Sequence, residues 1–60
     1  MEKLTVLQVF LIKEGLHLLI KDYEFKIENL KKRNEDYSYW NERLLTAEKT
    51  LKEMYNYKYE

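Results

Sequence analysis

"KKRNEDYSYWNE", Lys31 to Glu42, decides between two shapes for this chain, because the helical pattern either breaks there or runs straight through. A break is favoured by the order of charges. Lys31, Lys32 and Arg33 stand where a helix C-terminus attracts cations, and Glu35 and Asp36 stand where a new N-terminus attracts anions. Asn34 between them tolerates the left-handed backbone of a helix cap, and Asp36 or Ser38 can cap the helix that follows. Against a break stand the lack of Gly or Pro in the stretch and a hydrophobic pattern that resumes in phase beyond it. An unbroken helix from Leu16 to Tyr57 would be roughly 60 Å long at 1.5 Å per residue, with Asn34 as a polar register residue in a coiled coil. The hairpin lets a short chain bury its apolar surface against itself. The expected fold is therefore all-α: a helix over about 5–33, a turn over about 34–37 and a helix over about 38–57, in a single domain. Two such hairpins associate into a homodimeric four-helix bundle, and the alternative is a long single-helix coiled coil.

Working outward, the pattern is a seam. Leu16, Ile20, Tyr23, Ile27 and Leu30, then Tyr37, Trp40, Leu44, Ala47, Leu51 and Met54, recur at alternating spacings of about four and three, as on a helix packed against another at a small angle. The chain begins its first helix near Thr5, where Thr5 and Gln8 have the spacing of a capping box and Leu4 and Val9 that of a hydrophobic staple. "TVLQVFLI" also suits a strand, but a lone strand has nothing in this chain to pair with.

The first helix is apolar on more than one side. At 100° per residue, Leu4, Leu7, Leu11 and Leu18 form one face, and Val9, Ile12, Leu16, Leu19 and Ile20 form another. One partner helix covers one face. The second face requires a second chain, which makes Leu4, Leu7, Val9, Leu11, Ile12, Leu16, Leu18 and Leu19 the expected oligomer interface.

Composition narrows the chemistry. Sixty residues without Cys and with a single His leave no disulfide framework, thiolate zinc site or cysteine nucleophile, so self-association is the remaining way to support a small core. His17 lacks further metal ligands of suitable spacing, the carboxylate pairs Glu24/Glu28 and Glu35/Asp36 have no His or pocket beside them, and the hydroxyls have no base. No catalytic residue, metal ligand or cofactor site is expected, and the chain reads as non-enzymatic. Glu28/Lys32 and Glu48/Lys52 have the order of surface ion pairs.

Eleven basic residues balance eleven acidic ones, so no net field draws the chain to nucleic acid or an anionic membrane. The basic run beside Tyr37, Tyr39 and Trp40 is the one hint of nucleic acid, and Glu35 and Asp36 oppose it. The polar side of the first helix, Lys13, Glu14, His17 and Lys21, is too mixed for a membrane-surface helix. No signal-peptide pattern opens the sequence, and a cytoplasmic location is expected.

The tyrosines and the tryptophan remain. Tyr37, Tyr39 and Trp40, and then Tyr55, Tyr57 and Tyr59, stand at spacings that place neighbours on nearly opposite helix faces, so they cannot all enter one seam. Tyr and Trp concentrate binding energy at protein interfaces. These six are the candidate partner-binding residues of an inhibitor or adaptor that acts by occlusion, of the kind found among small phage or mobile-element proteins. The competing functions are a nucleic-acid accessory protein and a structural coiled coil.

Overall fold

The computed structural model describes residues 3–57 and is a helical hairpin. Helix α1 spans Val6–Lys32 and helix α2 spans Ser38–Tyr55. The pair packs antiparallel into a slim particle of 48 × 16 × 16 Å. The chain therefore turns within the deciding stretch.

Each end of α1 is fixed by local chemistry. At its start, Thr5 Oγ1 accepts from the Gln8 N–H at 3.1 Å, and Gln8 Oε1 accepts from the Thr5 N–H at 2.7 Å, which completes the capping box. At its end, Asn34 adopts φ 55°, the left-handed conformation that an asparagine tolerates. The Asn34 N–H then reaches Lys31 O at 3.1 Å and the Glu35 N–H reaches Leu30 O at 2.9 Å. This pair of bonds is a Schellman closure with Asn in the place usually taken by glycine. It satisfies carbonyls that would otherwise face outward without partners, and it reverses the chain.

Asp36 opens α2. Its Oδ1 accepts from the Ser38 N–H at 3.0 Å and its Oδ2 from the Ser38 hydroxyl at 3.1 Å. The Ser38 backbone bond, followed by the hydroxyl bond, holds the Asp36 carboxyl below its ordinary pKa of 3.8.

All the seam positions read from the sequence are buried or half-buried. Val9 is wholly enclosed, and Tyr23, Ile27 and Ala47 are each 7% exposed. The remainder of the interface, including Leu16, Ile20, Leu44 and Leu51, is only half covered. Two helices alone cannot surround a core.

The register follows from the side chains that meet. Tyr23 packs near Trp40, and Lys13 and His17 lie beside Tyr55. The first two turns of α1 thus extend past the end of α2. Tyr57, beyond α2, reaches that extension, its hydroxyl accepting from the Leu4 N–H at 2.9 Å. No helix among the described residues is long and apolar enough to cross a membrane.

Candidate interaction surfaces

The side chains with interaction chemistry lie in three places. The first is near the turn, where α1 contributes Asp22, Tyr23 and Lys26 and α2 contributes Tyr39, Trp40 and Arg43. Trp40 is the hub. Tyr39 meets it edge-on with ring centroids 4.9 Å apart, Tyr23 lies 5.8 Å away at a tilt of 37°, and Lys26 Nζ sits 4.5 Å from its ring centroid. Lys26 is itself held by Asp22 at 2.7 Å. The ammonium, positioned over the indole face, adds a cation–π attraction.

Arg43 closes the other side of this cluster. Its Nη1 donates to the Tyr39 hydroxyl and its Nη2 to the Tyr23 hydroxyl, both at 3.3 Å. The guanidinium carbon also lies over both rings, 5.5 Å from the Tyr39 centroid and 5.6 Å from that of Tyr23, so a cation–π attraction accompanies the two hydrogen bonds. The Tyr23 hydrogen bond, then the charge interactions with Tyr23 and Tyr39, raise the Arg43 pKa above its ordinary value. Tyr39 remains 61% exposed, while Trp40 is half-buried in the seam. The arrangement is a fixed aromatic edge with a cation on either side.

The second place is the far end of the hairpin. His17 Nε2 and the Tyr55 hydroxyl are 2.8 Å apart, and Lys13 Nζ lies 4.5 Å from the Tyr55 ring centroid. Among the described residues no group of three His, Cys, Asp or Glu side chains converges as metal ligands would.

The six aromatic residues singled out by sequence therefore do not share one surface. Tyr39 and Trp40 belong to the cluster near the turn, and Tyr55 and Tyr57 to the opposite end. Tyr37 is half-buried with Lys31 Nζ 5.0 Å from its ring centroid. Tyr59 lies outside the described residues. Of the basic run, Lys31 is engaged with Tyr37, Lys32 lies 3.8 Å from Glu28, and Arg33 caps α1.

The third place is the outward side of α1. Leu7, Leu11 and Leu18 are 66, 57 and 69% exposed, and Phe25, which sequence reasoning passed over, is 65% exposed. The seven-residue steps from Leu11 to Leu18 to Phe25 were the signal that it belongs with them. At 100° per residue these four lie opposite the Val9, Tyr23 and Ile27 side that faces α2. The expected interface residues thus divide. Leu7, Leu11 and Leu18 point outward, Leu19 lies at the margin, and Leu4, Ile12 and Leu16 are half-buried. Val9 is closed inside the hairpin and is not part of an outward face.

No family model matches the sequence, and comparison with curated proteins and with solved structures returns no match.

Proposed function

We propose that this chain is a non-enzymatic protein-binding module, an inhibitor or adaptor of the small phage or mobile-element kind. It pairs with a second copy through the outward face of α1 and offers the Tyr39–Trp40–Arg43 cluster to a partner protein. The observation that carries this reading is the alignment of Leu7, Leu11, Leu18 and Phe25, each more than half exposed, along the side of α1 that α2 leaves uncovered. Large aligned apolar surface on a small chain marks an interaction site, and a hairpin of this size gains from association the burial it lacks alone.

The cluster near the turn suits the second role. Tyr39, Trp40 and Arg43 are of the residue types that dominate binding energy at interfaces, and their mutual contacts fix them before a partner arrives. Binding of this kind works by covering or bridging, without bond chemistry. The test uses the immobilised full chain to capture a partner at defined stoichiometry, with wild type, Tyr39→Ala and Leu18→Glu compared. Loss of one specific partner with Tyr39→Ala supports the reading. A captured set that is the same for wild type and Tyr39→Ala contradicts it.

A further inference from the structure

We infer that the second copy lies antiparallel on α1, with the twofold axis near Leu18; the inference rests on the proposed pairing through the outward face of α1 and adds its direction. The argument comes from the two charges inside the apolar stripe. Leu7, Leu11, Glu14, Leu18, Lys21 and Phe25 follow one another at steps of four and three, so Glu14 and Lys21 stand within the same seam as the exposed apolar residues. Both are exposed, and among the described residues neither forms an ion pair or a side-chain hydrogen bond.

A parallel pairing in register would stack Glu14 on Glu14 and Lys21 on Lys21, and like charges facing across a seam are repulsive. Reversal removes that cost. With the axis near Leu18, the two Leu18 side chains meet, Leu11 comes opposite Phe25 of the second copy, and Glu14 comes beside Lys21 of the second copy. Each charge gains one opposite partner and the Glu14–Lys21 pair occurs twice, as the symmetry of an isologous interface demands. The contact from Leu11 to Phe25, symmetric about Leu18, runs for about 21 Å at 1.5 Å per residue.

The direction has a consequence for the shape of the assembly. α2 and the second copy occupy opposite sides of α1, so the four helices form a layer in the order α2, α1, α1, α2. Reversal then puts the two Tyr39–Trp40–Arg43 clusters on opposite edges and toward opposite ends. The dimer becomes a two-sided bridge, able to hold two partner molecules apart.

The experiment is a charge exchange on the full chain, read as the dimer dissociation constant by sedimentation equilibrium with helicity followed by circular dichroism. Antiparallel pairing predicts that Glu14→Lys and Lys21→Glu each weaken the dimer about tenfold, that the double variant returns to the wild-type value, and that the two single variants mixed together prefer each other. A dimer whose dissociation constant is unchanged by either single exchange overturns the antiparallel direction and leaves the α1 pairing standing. A wild type that stays monomeric throughout overturns the pairing itself. Should a single variant lose helicity together with association, recovery of both in the double variant supports the same conclusion, and failure to recover opposes it.

Discussion

Arg43 on α2 donates from Nη2 to the Tyr23 hydroxyl on α1 at 3.3 Å, and the ring it reaches is among the most buried side chains of the hairpin. The bond links the exposed aromatic cluster to the core. Tyr23→Phe keeps the ring and frees Arg43, so helicity is retained and only a small drop in the melting midpoint is expected. Tyr23→Ala removes the ring at a cost of about 3 kcal/mol or more, which a two-helix chain of marginal stability does not withstand. Thermal melts followed by circular dichroism separate the two variants. Equal midpoints would show that Tyr23 does not anchor the hairpin.

Gly15 sits within α1, and a Cβ built there meets nothing within 4 Å. Gly15→Ala therefore removes unfolded-state freedom without a clash and is expected to stabilise the fold by about 0.5–1 kcal/mol. Urea titration measures it. Destabilisation would indicate that the glycine serves a close contact in the associated state.

The turn depends on one left-handed residue. Asn34→Gly preserves that backbone, whereas Asn34→Ala places an ordinary L-residue at φ 55° at a cost of about 1 kcal/mol. The expected order of melting midpoints is Asn34→Gly at or above wild type and Asn34→Ala below both. Were Asn34→Ala the most stable, the chain would be running through the turn as continuous helix.

Asp36 gives the fold a dependence on acid. Its carboxyl is held below the ordinary value of 3.8 in the folded state by the Ser38 backbone and hydroxyl bonds. Its contribution is fully present above the unfolded pKa and is lost as pH falls below 3.8 through the folded value. Stability of Asp36→Asn should fall less steeply than that of wild type across this acid range. Parallel curves for the two would remove Asp36 from the turn's energetics.

Partner contact and core packing are separable on α2. Tyr39 is 61% exposed, so Tyr39→Ala should abolish partner capture while leaving helicity and mass unchanged. Trp40 is a seam residue in contact with Tyr23, so Trp40→Ala should lower stability as well as capture. Replacing Lys31, Lys32 and Arg33 together by Ala should leave partner capture intact. A salt-steep affinity for nucleic acid that vanished in this triple variant would instead support the nucleic-acid reading.

The helices, the seam, the capping box and the turn were legible because each rests on chemistry within a few residues: Thr5 with Gln8, Asn34 with Lys31 and Glu35 with Leu30, Asp36 with Ser38. The two-sided apolar character of α1 was legible for the same reason. What escaped the sequence depends on the register between the helices. Nothing local shows that Arg43 reaches Tyr23, that Tyr55 meets His17, or that Tyr57 returns to Leu4. The division of the aromatic residues between two ends follows from that register. Val9 lay on a face assigned outward but is enclosed, and Tyr57 reaches Leu4 at the same end of the hairpin.

The central claim is that the outward face of α1 is closed by a second copy. Sedimentation equilibrium of wild type and Leu18→Glu over a wide concentration range tests it most directly, because Leu18 is 69% exposed and its replacement leaves the hairpin interior untouched. The account predicts two chains per particle for wild type, one for Leu18→Glu, and helical hairpins in both. A wild type that remains a fully helical monomer at every concentration would contradict it.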